Sequence, residues 1–234
     1  MSIPHRADWR YELKFVCDGW RLAQARAWIR LHPAGFVTTY PPRRVNSLYF
    51  DTHHLRGANE NLAGVGERQK LRLRWYGEDM EDIRPVWEIK QKRGAVGRKF
   101  QHPLPCPLDL RRPWAAILPD LLAHLPSGWL PWIGTMERPT LLNHYRREYY
   151  ATPDEKVRLT LDFEQVAYDQ RWQARPNLTT PLLQPDRIVI EVKAPVGAED
   201  PYAGHACLSA IAASLPIPRQ RNSKYVTALL HSLG

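Results

Sequence analysis

Glu-x-Lys occurs three times, at Glu12–Lys14, Glu88–Lys90 and Glu191–Lys193. In an extended chain alternate side chains share a face, so each pair sets a carboxylate beside an ammonium. The surrounding stretches alternate strictly. In WRYELKFV (9–16), Arg10, Glu12 and Lys14 oppose Tyr11, Leu13 and Phe15; in KLRLRWY (70–76), Lys70, Arg72 and Arg74 oppose Leu71, Leu73 and Trp75. VWEIKQK (86–92) sets Glu88, Lys90 and Lys92 against Trp87 and Ile89. Residues 157–164 set Arg158, Thr160, Asp162 and Glu164 against Val157, Leu159, Leu161 and Phe163, and 188–193 set Glu191 and Lys193 against Ile188, Ile190 and Val192. One such strand is what any half-exposed antiparallel strand looks like. Recurrence is harder to explain by solvation, because a wet face mixes Thr, Ser, Gln and Asn, and like charges on neighbouring strands repel. A polyanion that neutralises the cations accounts for the pattern. Isolated carboxylates among cations suit a divalent metal that bridges to phosphate oxygens.

These faces need a scaffold. Strands are expected at 9–16, 45–51, 70–76, 86–92, 98–104, 141–150, 155–164 and 187–193. Helices are expected at 18–31 (capped by Asp18, with Trp20, Ala23, Ala27 and Leu31 on one face), at 199–215 and at 222–233 with Asn222 or Ser223 as cap. Helical turns at 113–125 are expected to break at Pro119. If the sheet closes on itself, helices cover the apolar outer faces and the charged faces line the inside.

A chain of 234 residues with 44% hydrophobic and 24% charged residues fits one globular domain spanning 1–234. Its net charge of +9 points to an anionic partner without choosing one. Cys17, Cys106 and Cys207 have neither metal-ligand nor disulfide spacing. No stretch approaches the ~20 apolar residues that span a bilayer, and the start lacks a leader's apolar core. A cytoplasmic protein is expected, with any membrane link made through a partner protein.

The ordered run RYELKF, SLYFDT, KLRLRWYG, EIKQKR with RKF, YRREYY, VRLTLD, IEVK and NSKY resembles the VTC domain of polyphosphate polymerases, within the triphosphate tunnel metalloenzymes, over about residues 8–230. The resemblance implies an α+β fold: a closed antiparallel β-barrel with a charged lumen and helices packed outside. It implies transfer of the γ-phosphate of ATP to inorganic polyphosphate with Mn²⁺ or Mg²⁺, primed by phosphate or pyrophosphate. Lys14, Arg72, Arg74, Lys90, Lys99, Arg147 and Arg158 are then the catalytic phosphate contacts. Glu191 is the principal metal ligand, with Glu12 and Glu88 as secondary ligands. Ser223 and Lys224 bind phosphate at a helix N-terminus, which favours anions in any case. Arg10, Lys70, Lys92 and Lys193 extend the phosphate-binding face. Arg10 stands where many tunnel enzymes carry the first Glu of Glu-x-Glu-x-Lys, a pattern closer to VTC domains than to adenylate cyclase and thiamine triphosphatase relatives.

Blander readings stand beside these. The three glutamates could merely pair with lysines, although exposed pairs contribute only ~0–1 kcal/mol. A one-residue slip would exchange Arg147 for Arg146. Tyr49 and Asp51 could face the interior or pack. Arg43–Arg44, Arg111–Arg112 and His53–His54 read as loop or surface, and the tryptophans as core under helices. Nucleic acid is not expected, because the aromatics fall opposite the charges, whereas base stacking needs both together. A metal-dependent triphosphatase of the same fold and a non-catalytic polyphosphate-binding module remain alternatives to the polymerase.

Overall fold

The alternating stretches form strands. The structure is a computed structural model describing residues 9–129, 136, 138–197 and 199–232. Its strands are β1 (Arg10–Asp18), β2 (Val37–Asp51), β3 (Glu67–Tyr76), β4 (Val86–Arg93), β5 (Val96–Pro103), β6 (Arg138–Ala151), β7 (Arg158–Asp169) and β8 (Arg187–Pro195). Its helices are α1 (Leu22–Leu31), α2 (Arg56–Leu62), α3 (Trp114–Ala123), α4 (Ala203–Ala213) and α5 (Lys224–His231). The strands close into an antiparallel ring in the order β1-β5-β4-β3-β2-β6-β7-β8. Thus β1 and β8, from opposite ends of the chain, pair along their full length, Glu12 opposite Lys193 and Lys14 opposite Glu191.

Closure on the other side is brief. β1 meets β5 only at Arg10–Gly97 and Tyr11–Val96. Beyond that corner the incoming C-terminal segment takes up the edge of β1. Phe15 bridges to Arg219, and the Gln220 N–H donates to the Lys14 carbonyl at 3.0 Å.

The apolar faces point outward and are covered. Leu13, Phe15, Leu159, Leu161, Ile188 and Ile190 pack with Ala25 and Ile29 of α1 and Leu208 and Ile211 of α4. Leu71, Leu73, Trp75, Trp87 and Ile89 pack with Trp114, Ile117 and Leu121 of α3. Burying each such large side chain is worth roughly 1.5–3 kcal/mol, so most of the hydrophobic free energy lies outside the ring; a third cluster packs Tyr49, Leu141 and Ala167 with Ala58 of α2 and Tyr225, Val226 and Leu229 of α5.

Several elements differ from expectation. Asp18 ends β1 instead of capping a helix and pairs with Arg187 at 2.8 Å. A 3-10 turn follows, and α1 buries Ala25 and Ile29, whereas Trp20 and Leu31 are exposed. The buried stripe follows the Leu22–Ala25–Ile29 spacing, one helical face round from the expected one. β2 begins eight residues early, at Val37, running through Pro41 and Pro42 with register shifts on both sides of Tyr40 and a third between Tyr49 and Phe50; prolines at irregular edges of a ladder are tolerated. That places Arg43 and Arg44 on a strand, not in a loop. α3 continues through Pro119. Glu164 leaves the charged face: with φ +51° it sits at an irregularity in the β6–β7 ladder and pairs outside with Arg146 at 3.0 Å. Trp172, like Trp20, is exposed, while Trp75 and Trp87 are core. Asp51 is buried as an anchor, accepting from the N–H groups of Thr52, Gly57 and Ala58 and from the Tyr225 hydroxyl. The first eight residues, on which the leader expectation rests, lie outside the described residues, as does Leu233 at the expected end of the last helix.

Candidate active site

The β1–β8 register builds the centre. Glu191 has Lys193 Nζ at 3.0 Å, Lys14 Nζ at 3.4 Å, Arg147 at 3.8 Å and Lys90 Nζ at 3.9 Å. Glu12 accepts from Lys90 at 2.8 Å and lies 3.1 Å from Lys14. Lys14 and Lys90 each contact both carboxyls and hold them in one cluster. Burial works to raise both, yet the surrounding ammonium groups prevail: Glu12 is held below the usual carboxylate range and Glu191 well below it. Both are therefore anions at neutral pH.

β3, β4 and β5 build a second centre. Glu88, fully buried, accepts from Arg72 and has Lys99 Nζ at 3.5 Å and Arg74 at 3.8 Å. Burial opposes its ionisation, but Arg72, Arg74 and Lys99 hold it far below the usual range. The ladder explains the convergence: Glu88 is directly opposite Arg72, and Lys90 lies between Lys70 and Lys99.

A fourth carboxylate was not singled out as a site residue. Asp162, fully buried on β7, accepts twice from Arg147, at 2.6 and 2.7 Å, and once from Lys224 at 2.6 Å. Despite burial, these two cations bring it down to about 2. Tyr145, also not foreseen, receives a hydrogen bond from Arg74 at 3.3 Å and lies under Lys224 and Arg147. Strand alternation was the available signal: Tyr145 shares a face with Arg147, as Asp162 does with Thr160.

The C-terminal segment joins the interior. Ser223 caps α5, accepting from the Val226 N–H at 3.3 Å, and its hydroxyl takes a 2.6 Å hydrogen bond from Lys70. Lys14 donates to the Asn222 carbonyl at 3.1 Å. Burial, reinforced by Lys14 and Lys90, pushes Lys70 well below the usual ammonium range; burial also brings Lys90 down to about 8, against the pull of Glu12. Lys92 and Lys99 shift down for the same first cause.

The structure thus brings together Lys14, Lys70, Arg72, Arg74, Lys90, Lys99, Arg147, Lys193, Ser223 and Lys224 with the three glutamates. Lys92 follows Lys90 on the same face and is partly buried. Arg10 and Arg158 stand exposed, at the ends of their strands. Arg147, not Arg146, faces inward. Tyr49 also lines this network: its hydroxyl accepts from Arg72 at 3.1 Å and its ring stacks on Tyr225.

Among the described residues no group of three or more His, Cys, Asp or Glu is placed to hold a metal. Glu88 is engaged by its own arginines, separate from the Glu12–Glu191 pair. That pair nonetheless fits Mg²⁺ or Mn²⁺, since Mg²⁺ typically binds through one or two carboxylates and completes its shell with water and substrate phosphates. Nearby donors suit those phosphates. The Nε groups of Arg72 and Arg74 and the Thr160 hydroxyl, opposite Glu191, are buried with no hydrogen-bond partner among the described residues.

An eight-stranded antiparallel ring with apolar outer faces and an ionic interior defines the architecture. The sequence matches the VTC domain family over residues 9–106 and 135–232, and the chain belongs to that family. No curated protein matches it in sequence. A Vibrio parahaemolyticus structure, provisionally assigned as an adenylate cyclase, is similar at 12% identity and TM-score 0.51, covering 93% of this chain and 95% of that one. It supports the fold alone. A Hippeastrum protein, provisionally assigned as an adenylyl cyclase and described as having dominant triphosphatase activity, is similar at 14% identity and TM-score 0.48, over 93% of this chain and 92% of its own. Among the described residues no helix is long and apolar enough to cross a membrane.

Proposed function

We propose that the chain is a polyphosphate polymerase that transfers the γ-phosphate of ATP to a growing polyphosphate inside the ring. The observation that carries this reading is the convergence of Lys14, Lys90, Arg147 and Lys193, from four strands, on the carboxylates Glu12 and Glu191, with Arg72, Arg74 and Lys99 gathered beside them on Glu88 and Lys224 of α5 on Asp162. Phosphoryl transfer passes through a loose transition state with charge spread over the phosphoryl oxygens, so positioning and electrostatics carry most of the catalysis.

In this reading Arg72, Arg74 and Lys99 grip one end of the triphosphate. Lys14, Lys90 and Lys193 neutralise the other, and Arg147, fixed by Asp162, faces the transferring group. Lys70, Ser223 and Lys224 bind phosphate at the start of α5, and Arg10, Lys92 and Arg158 attract polyanion at the rim. A divalent ion bound by Glu191 and Glu12, Mn²⁺ or Mg²⁺, would supply charge neutralisation at the phosphate oxygens. The attacking oxygen belongs to a terminal phosphate of polyphosphate, or of phosphate or pyrophosphate at initiation.

Incubation of the protein with ATP and Mn²⁺, with products resolved on a gel and phosphate release followed in parallel, tests the reading. A ladder of polymer is expected. Free phosphate without polymer would replace it with the triphosphatase, in which water attacks, and polyphosphate binding without turnover would leave a binding module.

A further inference from the structure

The interior cationic face does not end at Arg74 and Arg147. Two residues beyond Arg74 on β3 is Tyr76, and two beyond Arg147 on β6 is Tyr149, so both rings continue the inward face toward one mouth. Arg43 is directly opposite Arg147 in the β2–β6 ladder, and Tyr40 is opposite Tyr149. The Arg43 guanidinium lies 4.7 Å from the Tyr76 ring centre, 4.9 Å from Tyr149 and 5.3 Å from Tyr40. Tyr40 meets Tyr149 edge-on at 5.7 Å. Tyr149 also lies under Arg147, tying this cluster to the phosphate-facing groups.

Three features mark the cluster as more than packing. Arg43 is exposed and makes no hydrogen bond or ion pair among the described residues, so its N–H donors remain open. Tyr40 and Tyr76 are 57% and 51% exposed, which leaves ring surface available. The Tyr149 hydroxyl is buried with no hydrogen-bond partner.

We propose that Tyr40, Tyr76, Tyr149 and Arg43 form a nucleoside platform at this mouth, on which the purine base of the phosphate donor stacks while its triphosphate extends inward to Arg74 and Arg147. It supplies what the phosphate-binding interior lacks, a means of telling a nucleoside triphosphate from an inorganic one. Aromatic faces and guanidinium planes together are what base stacking uses. The inference rests on the reading of ATP as donor and names the part of the site that selects it.

The test compares equilibrium binding of β,γ-imido ATP and of inorganic tripolyphosphate, with Mg²⁺, to the wild-type protein, Tyr76→Ala and Tyr40→Ala/Tyr76→Ala. The variants should bind the nucleotide about tenfold more weakly and tripolyphosphate within about twofold of wild type. Unchanged nucleotide binding, or equal loss for both ligands, would overturn the platform. Because binding is read without turnover, a protein that makes no polymer yet shows this tyrosine-dependent preference would lose the polymerase reading and keep the platform. Retained tripolyphosphate binding also shows that the variants are folded.

Discussion

Arg147 and Asp162 lie directly opposite each other on β6 and β7, and Arg147 donates two charge-assisted hydrogen bonds to Asp162, at 2.6 and 2.7 Å, with both side chains buried. Paired planar donors and acceptors fix orientation as well as charge. Asp162 therefore aims the guanidinium that stands 3.8 Å from Glu191.

Asp162→Asn should lower activity by one to two orders of magnitude while leaving Arg147 in place, since its aim is lost but its charge is not. Arg147→Lys, which keeps charge but not the fork, should behave similarly. Arg146→Gln, on the outside in an exposed pair with Glu164, should change activity less than twofold and stability by under about 1 kcal/mol. Steady-state kinetics with denaturant melts would check all three. An Arg146 variant as impaired as the Arg147 one would contradict the register.

Acid stability should fall in two windows. His144 is brought down to about 4, first by burial and then by Arg44. A base depressed on folding takes up a proton more readily when unfolded, so stability is lost as pH falls from about 6.5 toward 4. Asp162, depressed to about 2 by Arg147 and Lys224 against burial, contributes above about 3.8 and loses that contribution as pH falls toward 2. His144→Gln should flatten the first window, and Asp162→Asn should reduce the slope of the second, which the lowered Glu12, Glu88 and Glu191 share. Urea midpoints measured across pH 2–7 would show whether each slope moves with its own substitution.

Glu191→Gln should weaken Mn²⁺ or Mg²⁺ dependence at least tenfold. It should also lower thermal stability, because Lys14, Lys90, Lys193 and Arg147 lose a buried counter-charge, and breaking a buried pair from one side costs ~3–5 kcal/mol. Tripolyphosphate should restore more of the melting temperature in this variant than in the wild type. Calorimetry with and without the anion is the check. A variant as stable as wild type without anion would mean that the carboxylate is not what neutralises the interior.

Asp51→Ala should unfold the protein or nearly so. It would strand the N–H groups of Thr52, Gly57 and Ala58 and the Tyr225 hydroxyl, each unsatisfied buried group costing ~1–3 kcal/mol. Tripolyphosphate should not rescue it, since Asp51 anchors α2 and α5 and does not neutralise the interior. Circular dichroism with added anion would separate it from the Glu191 case.

The sequence by itself determined the strands and which face of each is ionic. Period-two alternation is local, and Glu12, Lys14, Arg72, Arg74, Glu88, Lys90, Glu191 and Lys193 could be assigned to one face without knowing any neighbour. It could not say which carboxylate meets which cation, because that depends on register between strands far apart in the chain. Pairing of the first strand with the last set Glu12 beside Glu191, whereas the register of two hairpins, which alternation does not record, kept Glu88 with Arg72 and made Asp162 the partner of Arg147. The turning-out of Glu164 follows from a ladder irregularity that alternation does not record, and the strand at 37–44 was hidden by Pro41 and Pro42. The clustering of Tyr40, Tyr76 and Tyr149 on Arg43 likewise arises from three strands meeting. Local sequence specifies the face of a strand, whereas the distances that make a site are set by packing and pairing over the whole chain.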